Sequence, residues 1–144
     1  MIEFNVADKP FGLYTGDFNI IRKWIEQTLD DEGYEPGEIN IINCSDDYLL
    51  KVNQEHLNHN YYTDIITFDY VVGTVVSGDI FVSEDRISEN AEKFAVSAQN
   101  EFLRVLIHGV LHLCGYGDYS ASEKEGMRNK EDEYLKKFYD ATKL

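Results

Sequence analysis

Apolar positions along this chain recur with two different periods, and switching between them lays out the elements. Ile2, Phe4 and Val6 alternate with polar residues, which predicts a short strand over Ile2 to Val6. Asp17 then precedes Ile20, Ile21, Trp24, Ile25 and Leu29, the spacing of one apolar helix face behind an acidic cap, and Gly33 is placed to stop that helix. A turn is expected at Glu35-Pro36-Gly37, followed by a strand over Glu38 to Cys44 in which Ile39 and Ile41 alternate. Ser45 and Asp46 open a second helix that carries Leu49, Leu50 and Val52 and ends near Leu57.

After the polar loop Asn58-His59-Asn60, the β-branched and aromatic run Ile65, Ile66, Thr67, Phe68 and Tyr70 predicts a third strand. Gly73 marks a tight turn, Val75 and Val76 are expected to pair locally, and Gly78 to Val82 forms a further strand ending where Ser83 starts a polar helix. Phe102, Val105, Leu106, Val110 and Leu113 predict a long, largely buried helix over Ala98 to Leu113, ended by Gly115. Ser120-Ala121-Ser122-Glu123 is a capping box for a last helix through Met127, Tyr134, Leu135 and Phe138. With neither repeat nor linker, residues 1–144 read as one α+β domain. It is expected to have a small mixed sheet of about four strands packed by five or six helices, with a central helix carrying the chemistry.

At 144 residues and 43% hydrophobic content the chain can bury one proper core. Its apolar runs stop well short of the roughly 20 residues needed to span a bilayer, and Met1-Ile2-Glu3-Phe4 does not open a signal sequence, so a cytoplasmic protein with no membrane partner is expected. Cys44 and Cys114 form no C-x-x-C pair. Cys114 is rotated roughly 200° from His112 on a helix, which makes it a core residue rather than a ligand. The formal charge of −14 argues on composition against nucleic acid as a partner. Screening limits that argument to about 8–10 Å, so a single cleft must be judged locally.

His108 and His112 stand four apart on the buried helix, one turn and roughly 40° from each other, close enough for both imidazoles to hold one metal ion. The alternative is that they merely share a face, one satisfied in the core and the other wet. A buried neutral pair with no ligand would need several hydrogen-bond partners, which favours the metal. Asp118, past the turn at Gly115, is placed to fold back as a third ligand. Gly109 costs the helix about 1 kcal/mol relative to Ala, so a steric reason such as close packing of another segment is expected. It also occupies the position of the general-base Glu in H-E-x-x-H zinc proteases, which removes the proton acceptor that a peptidase needs.

The run His108-Gly109-Val110-Leu111-His112-Leu113-Cys114-Gly115-Tyr116 resembles the H-G-x-L-H-L-x-G-Y-D-H signature of the YbeY-type rRNA-maturation endoribonucleases. The likeness spans most of the chain. Thr63-Asp64-Ile65-Ile66-Thr67-Phe68 resembles the family's T-D-V-L-S-F, Gly78-Asp79-Ile80 its G-D-I, and Met127-Arg128 with Glu131 its C-terminal helix. The resemblance implies a metal-dependent, single-strand-specific endoribonuclease acting in small-subunit rRNA maturation and ribosome quality control. Its partners would be single-stranded or ribosomal RNA, and the acidic balance of the chain argues that a ribosomal protein or another basic partner helps delivery.

Carried over by position, the family's metal-binding histidines fall on His108, His112 and Asp118, so the third is changed, and Gly117 stands where the family usually has Asp. Asp is a competent zinc ligand, and its harder oxygen widens the choice toward manganese or iron. One carboxylate also lowers the net charge of the site, so bound water would be acidified less than by three imidazoles. The family's Arg before T-D-V-L-S-F falls on Leu57, with His56 and His59 the nearest substitutes. Arg86, Lys93 and Arg104 are candidates for holding phosphates, His59 for assisting the reaction, and Tyr61, Tyr62 and Tyr116 for stacking on bases. Asp64 and Asp79 sit within matched motifs and could equally cap turns. Two other functions stay open: a metal-dependent hydrolase of a small or peptide substrate, and a noncatalytic protein braced by its metal.

Overall fold

The computed structural model describes residues 1–143. Four strands and five helices follow one another as β1 (Ile2–Val6), α1 (Phe18–Asp31), β2 (Glu35–Cys44), α2 (Asp46–Leu57), β3 (Ile65–Asp69), β4 (Val75–Ser83), α3 (Glu84–Lys93), α4 (Ala98–Leu113) and α5 (Ala121–Thr142). The sheet order is β1-β2-β4-β3; β1 and β2 pair in parallel, as do β2 and β4, while β3 and β4 form an antiparallel hairpin. The expected mixed four-stranded sheet is therefore present, with five helices around it.

Side-chain alternation assigns the two faces of the sheet. On β4, Val76, Gly78, Ile80 and Val82 are buried on the face that α4 covers, in a core shared with α1 and α5. The opposite face carries Phe68 and Phe81, which pack with Cys44, Leu49 and Ile66 beneath α2. Each helix starts on a polar cap: Asp17, Ser45, Ser83 and Ser97 each accept a backbone N–H, and Ser120 with Glu123 closes a full capping box.

Two expectations change in detail. Glu35-Pro36-Gly37 is the first part of β2 rather than a turn, with a register shift against β4 between Pro36 and Ile39. A bulge accommodates a proline that cannot donate to the ladder, and β1 joins β2 only from Ile39 onward. Val75 and Val76 do meet the hairpin turn, through a Val72–Val75 bridge, but they also run without a break into Gly78 to Ser83 as one strand. No helix among the described residues is long and apolar enough to cross a membrane.

Candidate metal centre

The site is built on α4, and α4 is held hard against the β3–β4 hairpin. A Cβ on Gly109 would stand 2.8 Å from Ile65 Cδ1 and 3.1 Å from Ile80 Cγ2, so the glycine is the close approach that its position in a buried helix calls for. At the end of the helix, Gly115 adopts a left-handed φ of 95° and Tyr116 N donates to Leu111 O at 3.1 Å, which reverses the chain. The reversal brings Asp118 back over the histidine pair. Asp118 Oδ2 lies 3.3 Å from both His108 Nε2 and His112 Nε2, which are 2.9 Å from each other.

The outer ring nitrogens determine what these inner atoms are. His112 Nδ1 lies 2.9 Å from the carbonyl oxygen of Tyr116, which can only accept, so Nδ1 carries the proton. His108 Nδ1 likewise donates to Glu131 Oε2 at 2.6 Å. When both rings are neutral, two bare Nε2 lone pairs and a carboxylate oxygen face one another with no donor among them. That arrangement suits a cation at their centre. Ligands held tetrahedrally about 2.0–2.1 Å from zinc stand about 3.3–3.4 Å apart, which the two edges to Asp118 match, while the edge between the imidazoles is a few tenths of an ångström short. The donor set therefore fits a metal ion, and these three residues are the group of such ligands among the described residues.

Without an ion, protons compete for the same place. Burial alone would lower the His108 pKa, but the Glu131 hydrogen bond and the negative charges of Glu131, Asp118 and Asp64 raise it above the ordinary histidine value. Burial pushes the Cys114 thiol up to about 12, in keeping with a core cysteine that contributes no thiolate.

Glu131, noted in the sequence only as part of a motif, turns out to be the hub behind the site. It is 6% exposed, holds His108, and accepts from Arg104 Nη1 at 2.9 Å, while Arg104 Nη2 binds Asp132 at 2.7 Å. Arg104 is thereby committed to α5 rather than free for a phosphate. A second support stands behind His112. Tyr116, whose carbonyl orients that ring, donates its hydroxyl to Glu32 Oε1 at 2.6 Å, and Glu32 also takes Tyr134 Oη and Lys130 Nζ. Outer partners of this kind fix ring orientation and ligand basicity.

His108 and Asp118 open onto a cleft of 570 Å³ between α4, α5 and the end of α3. Arg128 of α5 lines it, exposed and with no ion pair among the described residues, and it is the cation that the sequence left unassigned. Asp64 lines it too, and burial raises the pKa of its carboxyl above the usual range. Arg86 and His59 stand outside the lining: Arg86 pairs with Asp46 at 2.8 Å over the Tyr62 ring, and His59 stacks on Tyr61. Lys93 lies over Phe94, and Asp79 accepts from Asn40 Nδ2 at 3.1 Å. Four carboxylates (Asp64, Glu101, Asp118 and Glu131) face two guanidiniums in the cleft, so a divalent ion would bring its lining to formal neutrality.

Comparison with known proteins bears on this arrangement. A family model described as Endoribonuclease YbeY matches residues 15–139. An Endoribonuclease YbeY of Flavobacterium johnsoniae is 52% identical over 116 residues, covering 81% of this chain and 84% of the relative. One from Flavobacterium psychrophilum is 45% identical over 144 residues, covering 96% and 97%. The solution structure of TM1509 from Thermotoga maritima superposes with a TM-score of 0.67 at 25% identity, covering 98% of this chain and 91% of that one. With the matched region running from the loop before α1 into the last turns of α5, the chain belongs to the YbeY endoribonuclease family.

Proposed function

We propose that the protein is a metal-dependent, single-strand-specific endoribonuclease that acts in the cytoplasm on small-subunit ribosomal RNA, in its maturation and quality control. Membership of the family gives the endoribonuclease role. The observation that carries the metal dependence is the convergence of three lone-pair donors, His108, His112 and Asp118, at the side of an open cleft. Zinc suits two imidazoles and a carboxylate, and manganese or iron are admitted by the oxygen ligand. A bound ion would supply a Lewis acid for the scissile phosphate and acidify water for the attack.

The chain's own residues do the rest. Arg128 holds a nonbridging phosphate oxygen in the cleft, and it is exposed enough to do so without losing a partner. The Asp64 carboxyl, raised by burial, is suited to delivering a proton to the leaving oxygen or taking one from water. Glu131 and the Tyr116 carbonyl keep both imidazoles in the tautomer that presents Nε2. Because the lining is acidic until an ion is held, RNA is delivered with the help of a basic partner such as a ribosomal protein.

A bracing metal would sit in a closed set of four protein ligands. Side-chain exposures of 22%, 26% and 44% for His108, His112 and Asp118 favour an open, reactive site instead. The test incubates zinc-loaded protein and Asp118→Ala with single-stranded and structured RNA. Metal-dependent cleavage of the single strands by the wild type alone is expected. Equal cleavage by the variant, or none by the metal-loaded wild type, overturns the reading.

A further inference from the structure

The cleft runs past the ligand triad along α4, and its far end holds a carboxylate with no partner. Glu101 lies two helical turns before His108, so both side chains share one face of α4 with about 10 Å between their Cα positions. Glu101 is 5% exposed, and no side-chain hydrogen bond or ion pair reaches it among the described residues. It lines the cleft together with Phe94, Val96, Asn100 and Val105. Phe94, at the end of α3, is 57% exposed, with Lys93 Nζ over one part of its ring at 6.0 Å, and it lines the same cleft as this buried anion.

A carboxylate mostly withdrawn from water, with no protein donor, is under-solvated, and a ligand that brings N–H groups to it makes up the shortfall. Burial and the neighbouring Asp64 raise its pKa, against Arg104 and Arg128, as expected for an anion short of donors. On the ribonuclease reading given above, we propose that this end of the cleft is a nucleobase subsite that selects guanine. Guanine is the one RNA base whose Watson–Crick edge presents two adjacent donors, N1–H and N2–H, and a carboxylate accepts both side by side. Phe94 supplies the face on which the unpaired base stacks. Asn100, whose Nδ2 donates to Tyr139 Oη at 3.2 Å, keeps a second amide N–H for guanine O6. The phosphate of the same nucleotide then lies toward Arg128 and the triad.

Nucleoside monophosphates test the subsite without a cleavable diester. Calorimetric titration of zinc-loaded protein with GMP, IMP and AMP is expected to give GMP roughly tenfold tighter binding than AMP. IMP, lacking the N2 amine, falls between. Glu101→Gln, close in shape, brings GMP to the level of AMP, and Phe94→Ala weakens both. Equal affinity for GMP and AMP, no binding of either, or guanine selectivity that survives Glu101→Gln overturns the proposal. RNA cleavage measured on the same preparations separates the two claims. Guanine selectivity without cleavage supports the subsite and counts against the nuclease, whereas cleavage without guanine selectivity sinks the subsite alone.

Discussion

Glu131 Oε2 lies 2.6 Å from His108 Nδ1, so a carboxylate on α5 sets the protonation and aim of an imidazole on α4. The same carboxylate binds Arg104, one turn before His108 on α4, and the three form a partly buried brace between the helices. Glu131→Gln keeps an acceptor oxygen but loses the charge that favours a basic Nε2. Metal affinity is expected to fall about 10–100-fold, as for other partners of ligating histidines. Competition with a chromophoric zinc chelator measures it, and wild-type affinity in the variant would show that His108 needs no such support.

Glu32 provides a pH-dependent counterpart on the His112 side. Burial would raise its pKa, but hydrogen bonds from Tyr116, Tyr134 and Lys130 hold it below the ordinary glutamate value. A lowered folded value means that its stabilisation is complete above the unfolded pKa of about 4.3 and is lost as pH falls through the folded one. Glu32→Gln is expected to cost about 1–3 kcal/mol at neutral pH, with the gap to wild type narrowing once pH drops below about 4. Urea denaturation of the metal-free proteins at pH 7 and at pH 3.5 checks this, and a gap of constant size would contradict it.

The parts of the site that could be read from sequence are those written in local spacing. His108 and His112 declare themselves by falling four apart on an apolar helix, and Gly115 with Asp118 by the turn that follows. Glu131 does not, because it lies 23 residues from His108 and meets it only when α5 packs on α4. Arg104 looked like a free cation for the same reason, its partners Glu131 and Asp132 being 27 and 28 residues away. In the fold, β1, β3, the Gly78 to Val82 part of β4 and every helix follow from periodicity and caps. Glu35-Pro36-Gly37 misleads because a bulged strand end uses the same residue types as a turn.

Gly109 tests how tightly the sheet positions the ligands. Gly109→Ala gains about 1 kcal/mol of helix propensity but drives a methyl into Ile65 and the fully buried Ile80. Overpacking of this kind costs about 1–3 kcal/mol, so the net change is expected to be destabilising, with α4 and its histidines displaced from the hairpin. Denaturant midpoints read the stability and chelator competition the site. A variant more stable than wild type, with unchanged metal affinity, would mean that the contact relaxes freely.

Arg128 and Arg104 line the same cleft but should fail in different ways when removed. Arg128 has no ion pair to lose among the described residues, so Arg128→Ala should leave folding and metal affinity nearly unchanged. If it holds one phosphate, RNA binding weakens and the slope of log affinity against log salt falls by about 0.7, the value for one contact on a single strand. Arg104 is tied to Glu131 and Asp132 and is 21% exposed, so Arg104→Ala leaves a buried Glu131 carboxylate with His108 as its remaining partner. That variant should lose stability and metal affinity, with its salt slope preserved. Anisotropy titrations of a labelled single-stranded RNA across a salt series separate the two. A reduced slope for Arg104→Ala, or an unchanged one for Arg128→Ala, would reverse the assignment of which guanidinium meets the substrate.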